Sequence, residues 1–249
     1  MRFVVVDLKK GYLRRTFFTI ILAFVLLVAI SVGVVTKIYK KDLFIEANTG
    51  ISEEKIVIID AGHGGEDCGA VGVNGAYEKD LNLAVALEVG KHLEDEGYVV
   101  IYTRTDDRLL YEPEENIKGI RKISDLKNRC KIAARYPTSL FVSIHMNSFG
   151  SAKYSGLQVY YSENNAESAA IAGKVQNKVR DSLQSSNNRT TKAGKDIYVL
   201  EHVNNPAILI ECGFLTNPEE CAKLSEKEYQ KSLSFAIVCG IIEYNEAND

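Results

Sequence analysis

The chain has 249 residues, 46% hydrophobic and 25% charged, with four prolines and no repeat or low-complexity tract. Such a composition can bury a full core and leaves little room for a long disordered linker. The formal charge of -3 is unevenly spread: residues 1–41 carry eight Lys/Arg against one Asp, leaving 22 basic and 32 acidic residues, about -10, in residues 42–249. That balance argues against a broad phosphate-backbone interface, and nucleic acid is not expected as a partner.

In chain order, the first element is Thr16–Thr36, 21 residues without a charge. It is long enough to cross a hydrocarbon core of ~30 Å at ~1.5 Å per residue and reads as an uncleaved transmembrane signal anchor. Arg2, Lys9, Lys10, Arg14 and Arg15 precede it, against Lys37, Lys40 and Lys41 after it. The excess predicts residues 1–15 as a cytoplasmic basic tail and the rest outside the membrane. A cleaved signal peptide would have a shorter apolar region and an A-x-A-like exit, which Ala29-Ile30-Ser31 matches poorly. Residues 37–54 are then a tether and 55–249 the folded domain.

Within that domain IVIID, from Ile56, predicts a strand that ends in Ala61-Gly62-His63-Gly64-Gly65. Leu81, Val85, Val89 and Leu93 recur at every fourth position of a helix that Gly97 closes, and Tyr98–Thr103 is a second strand, which makes a parallel βαβ unit. A helix over Ser124–Arg135 leads to the strand Leu140–Ile144, and Gly156–Tyr161 is another strand. There follow a helix over Glu167–Leu183, strands at Ile197–Leu200 and Ala207–Glu211, and helices at Pro218–Leu224 and Glu228–Tyr244. Apolar strands covered by helices on both faces predict a three-layer α/β/α sandwich with a mostly parallel sheet.

Open parallel sheets bind ligands at the carboxyl ends of their strands. His63 follows the first strand, His145 ends Leu140–Ile144, and Glu211 ends an apolar strand where an unpaired carboxylate would be costly. Two histidines with carboxylates suit zinc, which takes three protein ligands in catalytic sites and brings the pKa of a bound water to about 7. Spacing leaves Glu66, Asp67, Glu78 and Glu211 open as the third ligand, and a carboxylate outside the ligand set is needed to carry the proton. His92 and His202 read as structural or surface residues. Cys68, Cys130, Cys212, Cys221 and Cys239 form no CxxC pair and read as free thiols.

Four stretches, Ile59-Asp60-Ala61-Gly62-His63-Gly64-Gly65, Tyr77-Glu78-Lys79-Asp80-Leu81-Asn82-Leu83, Ser143-Ile144-His145-Met146-Asn147-Ser148 and Glu211-Cys212-Gly213-Phe214-Leu215-Thr216-Asn217-Pro218, together resemble the type 3 family of zinc-dependent N-acetylmuramoyl-L-alanine amidases. The resemblance implies that His63, Glu78 and His145 hold one zinc ion, that Glu211 is the general base and acid, and that the fold is α/β/α. It implies as substrate the amide joining N-acetylmuramic acid to L-alanine in peptidoglycan. Asp60 and Asn147 are expected to orient ligands or Glu211. The anchor, the bare catalytic domain and Arg121-Lys122-Ile123-Ser124-Asp125-Leu126 are similar to germination-specific, spore-cortex amidases, which prepare muramic acid for conversion to muramic lactam.

The sequence departs from the family pattern at Cys68, where a proline is frequent, and in an extended loop over residues 107–123. That loop is a candidate to shape the substrate groove or to contact an activating protein partner. The alternative class, a non-catalytic zinc or wall-binding module, would be expected to lack a ligand or the base, and all four positions are occupied. A zinc deacetylase would show HxxxH and a metalloprotease HExxH; the sequence contains neither.

Overall fold

The computed structural model describes Phe17, residues 55–117 and residues 119–247. The expected basic tail, spanning segment and tether therefore lie outside the described residues, apart from Phe17. Among the described residues no helix is long and apolar enough to cross a membrane.

Strand β1 (Ile56–Ala61) pairs in parallel with β2 (Val99–Tyr102) on one side and β3 (Leu140–Asn147) on the other, and β3 pairs in parallel with β6 (Ala207–Phe214). Strand β4 (Gln158–Tyr161) runs antiparallel to β6 and parallel to the short edge strand β5 (Lys192–Ala193), which gives one sheet in the order β2-β1-β3-β6-β4-β5. Helices α1 (Glu78–Asp95), α2 (Arg121–Ala134), α3 (Glu167–Leu183), α4 (Tyr198–His202), α5 (Pro218–Ser225) and α6 (Lys227–Glu246) cover it.

Successive side chains of a strand point to opposite faces. Val57, Ile59, Val142, Ile144, Ile208 and Ile210 therefore pack on one face, in a core with Val85 and Val89 of α1, Ile171 and Val175 of α3, and Leu233 and Ile237 of α6. Ile58, Phe141 and Leu209 face the other way, against Ala133 of α2 and Val199 and Leu200 of α4. The molecule thus has the three layers and the mostly parallel sheet that the sequence predicts. Fully burying each such aliphatic side chain contributes about 1.5–3 kcal/mol.

Three local expectations are corrected. The segment predicted as a strand at 197–200 is helix α4, and the edge strand lies at 192–193. Val199 and Leu200 are adjacent yet buried in the same cluster, which a strand's alternation forbids and a helical turn allows, and Val203 N–H closes the turn on the Val199 carbonyl at 3.0 Å. Helix α2 starts three residues early, at Arg121. Strands β3 and β6 run on to Asn147 and Phe214, so His145 and Glu211 stand inside strands as direct register partners instead of ending them. The Asn217-Pro218 pair that closes the fourth motif starts α5: Asn217 caps it by accepting from the N–H groups of Glu219 (3.0 Å) and Glu220 (3.1 Å), with Pro218 in the first turn.

Candidate metal centre

Past Ala61 the chain leaves β1 through a loop in which His63 (φ 62°) and Gly65 (φ 55°) are both left-handed. For a histidine that conformation is strained and needs its surroundings to hold it. Two buried arginines do so. Arg104 donates to the carbonyls of Ala61 (2.9 Å), Gly62 (3.0 Å) and Lys79 (2.8 Å). Arg129 donates to those of Ala61 and His63, both at 2.7 Å. From α1, Asn82 donates to the Gly62 carbonyl (3.1 Å) and Lys79 to that of Gly65 (2.8 Å). Gly62 also lies so close to His145 that a Cβ there would overlap the imidazole ring, and a Cβ on Gly69 would overlap Glu78 and His63.

The loop delivers His63 onto Glu78 at the start of α1 and His145 on β3. Glu78 Oε1 lies 3.2 Å from His63 Nε2 and 3.0 Å from His145 Nδ1, and the two rings meet edge-on at 4.9 Å. The other carboxylate oxygen is fixed by Ala70 N–H at 2.8 Å. One donor atom from each of the three residues falls within 4.8 Å of the others. Donors bound to zinc at ~2.0–2.1 Å in a tetrahedron stand about 3.3 Å apart, so these separations suit a zinc-sized cation. The electrostatics agree. Burial works against a charged His63, yet hydrogen bonds with Asp67 and Glu78 outweigh it and raise its pKa to about 9. Burial likewise opposes ionisation of Glu78, but His145 and His63 hold its carboxyl well below the usual range.

Asp67 and Glu66, left open as ligands by the spacing, sit outside the cluster. Asp67 accepts from His63 Nδ1–H at 3.0 Å, which in the neutral imidazole that a metal would bind keeps the proton on Nδ1 and leaves Nε2 to face Glu78. Glu66 pairs with Arg121 at the surface. Asp67→Ala is therefore expected to weaken zinc affinity by about 10–100-fold with little change in fold, read by competition with a chromophoric chelator and by circular dichroism. Unchanged affinity would remove Asp67 from the support of His63.

Glu211 lies beside this cluster on the same sheet face. Its Oε2 is buried with no hydrogen-bond partner among the described residues. Burial raises its carboxyl to about 7, with the His145 charge opposing and the Glu78 charge adding to the rise. Asp60 does not bond to Glu211. It accepts from Thr103 (2.7 Å), Ser143 (2.6 Å) and Arg129 (2.5 Å), and so reaches His63 through Arg129. Asn147 lines a groove next to Glu211, and its carbonyl accepts from Leu215 N–H at 2.8 Å. His92 packs edge-on against Phe235 and His202 stacks on Tyr198, both outside the cluster. The five cysteines are free, with Cys212 and Cys221 buried.

Sequence reading missed Arg104, Arg129, Asp67 and Asn82 as supports of the centre. A signal existed for Arg129: it stands four residues from both Asp125 and Ala133, a cation on the face that α2 buries. Arg129 Nε in fact bonds Asp125 at 2.8 Å. The loop at 107–123 begins as part of the same support, because Asp107 accepts from Gly65 N–H (2.7 Å) and Lys79 (2.6 Å).

A three-layer α/β fold carrying two histidines, one carboxylate and a separate buried glutamate at one rim defines the class, a hydrolase-type metal site. The sequence model of the family described as N-acetylmuramoyl-L-alanine amidase matches residues 57–243, and the chain belongs to that family. The germination-specific N-acetylmuramoyl-L-alanine amidase of Bacillus subtilis is 39% identical over 192 residues, covering 76% of this chain and 79% of that protein. The CwlD amidase of Clostridioides difficile, solved in complex with the GerS lipoprotein, is also 39% identical, with a TM-score of 0.74 over 78% of this chain and 99% of that one. The amidase AmiC2 of Nostoc punctiforme is 34% identical, with a TM-score of 0.68 over 79% of this chain and 99% of its own.

Proposed function

We propose that this chain is a zinc enzyme that hydrolyses the amide between the lactyl group of N-acetylmuramic acid and L-alanine in peptidoglycan. The observation that carries the reading is Glu211, a carboxylate with a buried, unbonded oxygen set beside a two-histidine, one-carboxylate cluster. His63, Glu78 and His145 would hold zinc, which when bound polarises an amide carbonyl and acidifies water. Glu211 takes the proton of the attacking water and returns it to the departing nitrogen, leaving a free lactyl carboxylate and a free alanine amine. In the metal-free site burial raises this carboxyl above its ordinary value, which favours a group that can hold a proton as well as release one.

Likeness to a germination-specific amidase and to CwlD supports a place in spore-cortex maturation, on the way to muramic lactam. The uncharged run at 16–36 with its basic flank supports a membrane anchor that keeps the catalytic domain outside the cytoplasmic membrane. The CwlD complex with a lipoprotein supports a protein partner for this chain.

Digestion of purified peptidoglycan by the full-length, zinc-loaded protein tests the activity. Mass spectrometry is expected to show free peptides beginning with L-alanine, and a chelator is expected to stop their release. Fragments that keep the sugar–peptide link while another bond is cut would overturn the reading.

A further inference from the structure

We propose that the groove beside Glu211, about 250 Å³ in volume, is the subsite for the peptide that leaves with the new amine, and that Arg189 and Lys192 bind a carboxylate on that peptide. The proposal rests on the amidase reading and names which half of the substrate lies on which side of the centre.

Register places the groove. His145 of β3 and Gln158 of β4 are both direct partners of Glu211, and Lys192 of β5 is the partner of Tyr160. All of these share the face of the sheet that carries Glu211, so a line from the metal cluster over Glu211 runs on to Gln158, Tyr160 and Lys192. Three strand spacings of ~4.8 Å make that path about 14 Å, which ~4 residues of extended peptide would span.

The chemistry of the far end is cationic and aromatic. The Arg189 guanidinium lies over the Phe214 ring with its carbon 4.5 Å from the centroid. Its Nε donates to the Ser155 carbonyl at 2.8 Å and its Nη1 to Gln158 Oε1 at 3.0 Å. That holds the plane of the group, and Nη2 makes no hydrogen bond among the described residues. Neither Arg189 nor Lys192 has a carboxylate within ion-pair distance among the described residues. Glu220, the acid beside Arg189, is turned to the backbone, where it accepts from the N–H groups of Gly156 and Phe214, both at 2.8 Å.

Two cations left unmatched in one groove are notable in a domain whose formal charge is about -10. A fixed guanidinium with a neighbouring ammonium is a carboxylate receptor. In the uncut substrate the lactyl carboxyl is tied up in the amide, so the free carboxylates belong to the peptide, whereas the glycan presents hydroxyl and acetamido groups. The lactyl carboxylate that cleavage frees lies at the metal cluster, at the other end of the path. The groove therefore fits the peptide and gives the enzyme a means to prefer stems with free carboxylates.

Calorimetric titration of the full-length, zinc-loaded protein with an L-alanine-led stem peptide tests this, using the free-carboxylate form and the same peptide amidated. The free form is expected to bind about ten-fold more tightly. That preference is expected to vanish in Lys192→Glu, an exposed edge-strand change, and in Arg189→Gln, which retains a donor for Gln158. In hydrolysis the same variants are expected to raise KM about ten-fold for the free-carboxylate substrate, leaving kcat nearly unchanged. Equal binding of the two peptides by the unaltered protein would overturn the subsite, as would a preference that survives both variants. A charge preference that disappears as expected in a protein that cuts neither substrate would overturn the amidase reading and leave the subsite standing.

Discussion

Glu211→Gln is expected to lower kcat for peptidoglycan hydrolysis by about 10²–10⁴-fold while zinc content stays at the level of the unaltered protein. The substitution keeps the shape of the side chain and removes the buried carboxyl beside the cluster that can take and return a proton. His63→Ala should instead lose both metal and activity, because His63 supplies one of the three clustered donors. Loss of zinc to the same extent in both variants would overturn this division of roles. The electrostatics give a second readout in the metal-free protein. Burial raises Glu211 from its ordinary 4.5 to about 7, so between those values the folded state binds more protons than the unfolded one. Stability from this group therefore falls as pH rises through that window, and the glutamine, which never ionises, escapes the loss. Glu211→Gln should melt at a higher temperature than the unaltered metal-free protein above pH 7.

The layers of the fold and the members of the centre were legible because they rest on local signals. Four-residue periodicity exposes α1, uninterrupted apolar runs expose β1, β3 and β6, and His63, His145 and Glu211 interrupt or end those runs. Glu78 was harder. It opens an ordinary helix, and spacing alone did not rank it above Glu66 or Asp67; the four-motif resemblance did. The support was hidden for a further reason. Arg104 and Arg129 act on backbone carbonyls of the Ala61–His63 stretch, more than forty positions away, and no local pattern reports which carbonyls a loop leaves unpaired. The segment at 197–200 misled because a four-residue apolar run has no period of its own, and packing against the sheet decides between strand and turn.

The largest expected effect on stability belongs to this hidden support. Asp60 and Arg129 are both almost completely buried and 2.5 Å apart, with Arg129 also bound to Asp125 at 2.8 Å and to the His63 carbonyl at 2.7 Å. Removing the Asp60 charge leaves Arg129 with Asp125 as its remaining carboxylate partner among the described residues and weakens the bonds from Ser143 and Thr103, so Asp60→Asn should cost about 1.5–3 kcal/mol in urea unfolding of the metal-free protein at pH 7. The pH dependence follows from the sign of the shift. Burial alone would raise the Asp60 carboxyl, but the Arg129 charge and the hydroxyls of Ser143 and Thr103 outweigh it and hold it below its ordinary 3.8. The stabilisation is thus complete above pH 3.8 and is lost as pH falls through the lower, folded value. The gap between Asp60→Asn and the unaltered protein should be flat from pH 5 to pH 7 and close in stronger acid; Asp67 and Glu78, also held low, cancel in that difference. Because Arg129 holds the His63 carbonyl, the same variant should bind zinc more weakly. Arg129→Met alone leaves both Asp60 and Asp125 without their cation, and adding Asp60→Asn removes one of those two unmatched charges, so the double change should cost less than the two single changes added together. Strict additivity in that double-mutant cycle would mean that the two side chains stabilise the loop independently, and that Asp60 does not reach the metal centre through Arg129.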